Sequence, residues 1–329
     1  MTAGWGGSPA VARPFPPVSG ASAPWPGSCS AALTLRPYLT DSAPGDPGAD
    51  LPYDGAMGDT AHHCSDMAAT GVEADDVDRV LADKALLGRS GFASGSELYE
   101  RARPGYPDDA VAHLLTSLAL APSSRVLDMA AGTGKLTRAL VATGASVVAS
   151  EPSASMRAVF ASVLPGTPQV GATAELLPFA DSTFDAVTVA QAFHWFDAPV
   201  ALAECARVLR AGGGLAMVWN ERDEEDPVVA ELTRVSKWDV HQPYPVGMDF
   251  AAVIEASGYF GPVTRTKFRF TQELDRDAFV EQVASRSYIA ILPEDRRQAI
   301  LADVAALAAR LDEPISLPYL VDTFCARVG

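Results

Sequence analysis

Apolar residues recur along the middle of the chain with two alternating periods, and that alternation sets the expected fold. Short continuous apolar runs predict buried strands at residues 124–128, 145–150, 170–173, 184–190 and 215–219. Between them apolar positions fall at i, i+3, i+4 and i+7, the spacing of amphipathic helices. Val111, Leu114, Leu115 and Leu118 form one such stripe behind an acidic first turn at Asp108 and Asp109. Leu136, Leu140 and Val141 form a second, Met156, Val159 and Phe160 a third, and Leu202, Cys205, Ala206 and Leu209 a fourth. Strands alternating with helices at this pace predict a parallel, doubly wound α/β sheet. Gly144 is a C-cap signal, Asp197 an N-cap signal, and Gly212-Gly213-Gly214 is expected to break the fourth helix.

Beyond Trp219 the pattern changes. Residues 263–270 alternate Val263, Arg265, Lys267, Arg269 against Thr264, Thr266, Phe268, Phe270, as in a strand with one exposed side. A helical region from about Arg276 follows, then a helix from about Glu294 with Ile300, Leu301, Val304, Leu307, Ala308 and Leu311 on one face. A last strand from Ile315 to about Phe324 would close the sheet. At the other end, residues 1–54 are rich in Pro, Gly, Ala and Ser and carry neither period. Such a segment buries too little apolar surface to offset the entropy of ordering it, so residues 1–75 are expected to be disordered. One expectation is that the segment is not translated and that the working chain begins at Met57 or Met67, which peptides covering residues 15–35 would refute. Order is expected from Asp76, where Val77, Val80, Leu81 and Leu86 recur at helical spacing. His62-His63 beside Cys64 are metal-ligand types, but in a floppy tail they are read as no metal site.

A length of 329 residues allows one domain of ordinary size plus extra segments. A formal net charge of −16 argues against nucleic acid as a partner, because binding phosphates needs a concentrated basic surface. Cys29, Cys64, Cys205 and Cys325 lie far apart without a C-x-x-C pair, which suggests neither a zinc ribbon nor a disulfide framework. Cys205, on an apolar helix face, is read as packed core rather than a reactive thiol. The thiol pattern suits a reducing cytoplasm, and no apolar run reaches membrane-spanning length.

The candidate chemistry centres on Val126-Leu127-Asp128-Met129-Ala130-Ala131-Gly132-Thr133-Gly134-Lys135. An apolar run ends in an acid and passes through a glycine turn into a helix, which places backbone N–H groups at the carboxyl end of a parallel strand. A dinucleotide loop would carry a third glycine where Thr137 stands, and a carboxylate at Asp128 would repel a pyrophosphate. An acid there suits a ligand carrying an ammonium group. Glu151, at the end of the next strand, is placed to accept hydrogen bonds from both hydroxyls of a ribose. Residues 92–107 hold Tyr99, Arg103, Tyr106 and two prolines, and read equally as a pinned linker or as a lid over the ligand crevice.

Five ordered blocks carry a resemblance: the stretch 126–134, Val147 to Ser153, Ala174 to Phe179, Phe184 to Phe196 and Val208 to Leu215. Together they resemble a class I S-adenosylmethionine-dependent methyltransferase, and residues 99–107 are similar to the small-molecule branch that includes trans-aconitate methyltransferase. The resemblance implies a Rossmann-like seven-stranded sheet, mostly parallel with an antiparallel C-terminal strand and helices on both faces, across residues 76–329. Within it, residues 76–107 would be a lid, 108–220 the cofactor-binding core and 221–329 the acceptor-shaping region. Asp128, Ala130, Gly132 and Gly134 would hold the methionine part of S-adenosyl-L-methionine, and Glu151 the ribose. Ser153 and Met156 would lie near the adenine, Ala174 and Glu175 at its edge, and Gln191 near the transferred methyl. Two positions depart from the family: Ala130 replaces a usual glycine, tolerable if its φ stays below zero, and Thr173 replaces a frequent aspartate.

The implied reaction is in-line transfer of a methyl to a small-molecule acceptor, a step that asks mainly for alignment and desolvation. His194 is a candidate general base, with packing by its aromatic neighbours as the alternative. Tyr99, Trp195 and Trp219 are candidate acceptor contacts, with the segment 238–259 also shaping that pocket, and Arg103 and Arg222 would supply the cations a carboxylate acceptor needs. The alternatives are a non-catalytic regulator that binds S-adenosylmethionine or S-adenosylhomocysteine, and, third, an NAD-dependent enzyme.

Overall fold

The structure is a computed structural model, and it describes residues 95–237, 249–290 and 292–329. The expectations for residues 1–94, including the helix near Asp76 and the His62-His63-Cys64 group, lie outside the described residues, as does Trp238.

Seven strands form one sheet in the order β3-β2-β1-β4-β5-β7-β6. They are β1 (Arg125–Met129), β2 (Ser146–Ser150), β3 (Gln169–Val170), β4 (Phe184–Ala190), β5 (Leu209–Arg222), β6 (Thr264–Leu274) and β7 (Ile315–Arg327). β1 to β5 pair in parallel, and β7 runs antiparallel to both its neighbours, β5 and β6. The sheet is therefore the mostly parallel, seven-stranded one expected. The apolar run at β1 follows from its place inside the sheet, where it is buried on both faces from Val126 to Met129.

The helices are α1 (Ser96–Ala102), α2 (Asp108–Ser117), α3 (Lys135–Ala142), α4 (Ala154–Val163), α5 (Ala198–Val208), α6 (Pro227–Ser236), α7 (Phe250–Ala256), α8 (Arg276–Ala284), α9 (Ser287–Ala290) and α10 (Glu294–Ala308). On one face of the sheet Leu127, Met129 and Met217 pack with Leu202 and Cys205 of α5. On the other, Val126 and Val218 pack with Leu114 of α2 and Leu136 and Leu140 of α3. Each fully buried leucine here contributes about 1.5–3 kcal/mol. A third cluster joins Leu232, Phe279 and Val304 of α6, α8 and α10 to Leu317 and Tyr319 of β7. Burial pushes the Cys205 thiol up to about 12, as suits packed core.

Three local expectations are corrected. α5 ends at Val208, so the glycine triplet lies inside β5 and does not stop the helix. Phe184 pairs with Leu209 while Ala186 pairs with Gly214, so β5 loops out between them. Gly212 takes φ +72°, and a Cβ on Gly214 would stand 2.5 Å from the Leu118 side chain, so the glycines permit the bulge and a close approach of α2. The third strand covers only Gln169–Val170, because the chain turns at Thr173, which bridges back to Leu176. On α3, Val141 is exposed and Thr137 takes its place in the buried face.

Candidate functional site

A cavity of about 430 Å³ opens at the carboxyl ends of β1, β2 and β4. β1 connects outward to β2 and β3 and the chain then returns to β4 on its other side, so the cavity sits where strand order reverses. Its floor is Ala130 and Gly132 after β1, Glu151 to Ser153 after β2, and Ala190 to Ala192 after β4. Met156, Thr173, Ala174 and Glu175 wall one side, Trp195, Phe196 and Asp197 another, and Tyr99 reaches in from α1.

The glycine loop is held by acids on either side of it. Glu151 accepts from the backbone N–H of Gly132 at 2.9 Å through one oxygen and from that of Ser153 at 2.8 Å through the other. Burial pushes its carboxyl above the ordinary range, and these two N–H groups pull it back. Each oxygen keeps a further lone pair, so the carboxylate can accept two more bonds. Ala130 adopts φ +53° and Gly132 φ +58°. Ala130 is thus left-handed, contrary to the condition under which alanine is free of strain there, and costs about 1–2 kcal/mol relative to an ordinary conformation. At Gly132 nothing lies within 4 Å of where a Cβ would be, so the absent side chain leaves the backbone open on the cavity side.

Asp128 and Gly134 stand behind the loop and are not part of the cavity lining. Asp128 is 1% exposed and accepts from Thr137 Oγ1 at 2.5 Å and Thr188 Oγ1 at 2.8 Å. Burial drives its carboxyl up to about 6, against the opposing pull of those hydroxyls. Thr137, where a dinucleotide loop has glycine, therefore serves as the partner that fixes this acid. Gly134 adopts φ +89° at the N-cap of α3, and a Cβ there would stand 2.6 Å from Leu164 and 2.8 Å from Phe160. Its glycine is required by helix packing.

α1 forms the roof. Glu100 binds Thr133 Oγ1 at 2.6 Å, Arg138 at 2.5 Å and, through its carbonyl, Lys135 Nζ at 2.6 Å. Ser96 donates to Ser155 at 3.1 Å, so α1 is tied to both the glycine loop and α4. Burial raises the Tyr99 phenol, the side chain α1 gives to the cavity. These contacts fix α1 beside the cavity, with Tyr99 in its lining. Sequence reasoning passed over Glu100, whose only signal was an acid beside Tyr99 with Lys135 and Arg138 on the opposed helix.

At the β4 end, Gln191 takes φ +56° and its Nε2 donates to Asn220 O at 3.0 Å. His194 and Trp195 lie in a 3₁₀ turn, Phe193–Trp195. The His194 ring is 4.5 Å from Trp195 and 5.3 Å from Trp219, centroid to centroid, and only Trp195 of the three lines the cavity. Trp219 is 2% exposed and packs against Phe250 with ring centroids 4.7 Å apart and planes tilted by 43°, inside the core. The structure thus gathers Tyr99, Ala130, Gly132, Glu151, Ser153, Met156, Ala174, Glu175, Gln191 and Trp195 around one cavity. It places Asp128, Gly134, His194, Trp219, Arg103 and Arg222 off its walls. Among the described residues no group of three His, Cys, Asp or Glu side chains is arranged to hold a metal, and no helix is long and apolar enough to cross a membrane.

Comparison with known proteins bears on this arrangement. Residues 127–217 match the family described as the methyltransferase domain. An uncharacterised methyltransferase of Mycobacterium tuberculosis is 40% identical over 246 residues, covering 72% of this chain and 94% of the relative. A demethylmenaquinone methyltransferase of Mycolicibacterium vanbaalenii is 43% identical over 102 residues, 31% of this chain and 44% of that enzyme. A solved structure described as a type II methyltransferase, from Anaeromyxobacter dehalogenans, shares the fold with a TM-score of 0.51 at 22% identity, over 68% of this chain and 97% of that one. The chain belongs to the methyltransferase family.

Proposed function

We propose that this methyltransferase uses S-adenosyl-L-methionine to methylate a small-molecule acceptor. The observation that carries the reading is Glu151, which lines the cavity with both oxygens steadied by backbone N–H groups and with lone pairs to spare. Such a carboxylate suits the two hydroxyls of a ribose. The rest of the lining fits the same ligand: Met156 and Ala174 offer apolar faces for a base, and Gly132 offers open backbone for a polar tail. The volume lies in the usual range for small-ligand sites, about 300–1,000 Å³.

When bound, the cofactor would supply an electrophilic methyl on a sulfonium, whose departure needs no protonation. The protein's share is then to hold, align and exclude water. Glu151 and the 130–132 backbone would hold the cofactor, Gln191 would face its reactive end, and α1 with Tyr99 would close the site from water. In this reading residues 108–220 form the cofactor-binding core, and the chain beyond shapes the acceptor site. A general base is needed only where the acceptor must lose a proton early. His194, one ring behind Trp195, is the candidate, and unchanged turnover in His194→Ala would remove it.

Calorimetric titration of the full chain tests the cofactor. S-adenosylhomocysteine is expected to bind with one-to-one stoichiometry and NADH to give no heat, and tight NADH binding without a response to S-adenosylhomocysteine would overturn the reading. Incubation of a metabolite extract with methyl-labelled cofactor tests the catalysis. A labelled small molecule is expected, whereas binding of S-adenosylhomocysteine with no labelled product from any extract would assign a regulator instead.

A further inference from the structure

α1 is tied to its surroundings on two sides that differ in burial. Ser96, Tyr99 and Glu100 stand at i, i+3 and i+4 and so share one face of the helix. That face looks toward the cavity: Tyr99 lines it, Ser96 bonds to Ser155 of α4, and Glu100 meets the glycine loop and α3. On the outer side Arg101 pairs with Glu281 of α8, an exposed pair of the kind that contributes little. The Ala102 carbonyl accepts from Gln272 of β6 at 3.3 Å, which tethers the end of the helix.

The inner contacts close a circuit that runs through Glu151. Ser96 donates to Ser155 at 3.1 Å, the Ser155 and Ser153 hydroxyls bond at 2.9 Å, and the Ser153 N–H reaches one oxygen of Glu151 at 2.8 Å. The other Glu151 oxygen accepts from the Gly132 N–H at 2.9 Å, and the next residue, Thr133, donates to Glu100 at 2.6 Å. α1 is thereby linked to both backbone donors that steady this carboxylate.

Glu100 is the strong member of the circuit. Its side chain is 17% exposed and that of Lys135 13%, and Thr133 is fully buried. Burial alone would raise the Glu100 carboxyl, yet bonds from Arg138 and Thr133 and the Lys135 charge hold it below the ordinary range, so it is ionised at neutral pH. One oxygen accepts from Thr133 and the other from Arg138, with Lys135 Nζ 3.5 Å away, and bonds to ionised partners are the stronger ones. Thr133 stands between two left-handed glycines, Gly132 at φ +58° and Gly134 at φ +89°. The turn that aims the Thr133 hydroxyl at Glu100 also aims the Gly132 N–H at Glu151.

We propose that Glu100 is a positioning residue for the cofactor: it latches α1 to the glycine loop, so that occupation of Glu151 and seating of Tyr99 over the cavity reinforce one another. This rests on reading the cavity as the cofactor site. Glu100 lies off the cavity walls and acts through Thr133 and Tyr99. A ligand that fixes Glu151 and the 130–132 backbone fixes Thr133 in the orientation Glu100 requires. By reciprocity, a seated α1 strengthens ligand binding by the same factor. The latched helix slows release and keeps water from the reacting methyl.

The test pairs stopped-flow displacement of S-adenosylhomocysteine with hydrogen exchange of residues 96–103 in the full chain. In the parent, S-adenosylhomocysteine is expected to slow exchange in α1 at least tenfold. In Glu100→Ala that gain should fall below twofold, and dissociation should quicken at least tenfold with the association rate changed less than threefold. A tenfold change is about 1.4 kcal/mol, the scale of one bond to a charged group. Exchange in β1 and β4 should be unaltered, which a general loosening of the fold would not give. Arg101→Gln, which cuts only the outer tie, should change release less than twofold. Should Glu100→Ala fail to fold, Glu100→Gln decides: it keeps an acceptor for Thr133 but loses the charge, and should release at least threefold faster. Release at the parent rate from the Glu100 variants, α1 protection that survives in them, or an equal effect of Arg101→Gln overturns the latch. A parent that does not bind S-adenosylhomocysteine sinks the cofactor reading, and exchange in the free chain then decides the latch: α1 at least tenfold faster in Glu100→Ala with β1 unchanged supports it, and unchanged α1 exchange overturns it.

Discussion

Asp128 allows the sharpest test of how the glycine loop is held. Its carboxyl is 1% exposed, and burial raises it from 3.8 to about 6 despite the bonds from Thr137 and Thr188. A carboxyl raised in the folded state binds its proton more tightly there than in the unfolded chain. Stability contributed by the protonated form is therefore complete below about pH 4 and is lost as pH rises through 6. That rise is worth about 3 kcal/mol over the whole window, and about 1.4 kcal/mol between pH 5 and 7.5. Asp128→Asn has no charge to desolvate and keeps one acceptor for a threonine hydroxyl, while the other hydroxyl can rotate to accept from the amide. Its stability should lack this loss. Urea unfolding of both proteins at pH 5 and pH 7.5 isolates the effect, since all other titrating groups cancel in the difference. The variant should gain about 1–2 kcal/mol on the parent between the two pH values. A difference that stays constant, or that favours the parent at the higher pH, would refute the buried, proton-hungry acid described here.

Three further outcomes follow from the same geometry. Glu151→Ala removes the carboxylate assigned to the ribose and frees the Gly132 and Ser153 N–H groups, so calorimetry should show S-adenosylhomocysteine affinity lowered about 10- to 100-fold, as for about 1.5–3 kcal/mol of charged hydrogen bonding. Ala130→Gly relieves a left-handed alanine but loosens the unfolded chain, so chemical unfolding should show a net gain of up to about 1 kcal/mol, whereas Ala130→Val should lose more than about 1 kcal/mol. Gly134→Ala forces a methyl to within 2.6–2.9 Å of Leu164 and Phe160 at a φ of +89°, and should destabilise by about 2–4 kcal/mol in the same assay.

Much of the cofactor half was legible in the chain itself. Continuous apolar runs fixed β1, β2 and β4 because these strands are buried on both faces, and the period-3.6 stripes fixed α2 to α5 because each helix must bury one face on that sheet. The acid at each strand's carboxyl end marked Asp128 and Glu151, since a carboxylate there interrupts an otherwise apolar pattern. What local pattern could not show was which side of the loop each residue would occupy. Asp128 and Gly134 stand behind it and Glu151 in front, a distinction set by how α3 and α4 pack and invisible to spacing. The sign of φ at Ala130 likewise depends on the strand and helix it joins, not on alanine's own preference. The glycine triplet read as a helix stop because nothing local reveals that Leu118 would press against Gly214. Glu100 carried little signal because its partner Thr133 lies 33 residues away in the chain. The order of strands and helices and the two acids could be read from the chain, since those follow from periodicity and burial. The meeting of Glu100 with Thr133, Lys135 and Arg138 beside the cavity came from folding, because charges distant along the chain acquire a common environment only when the chain folds.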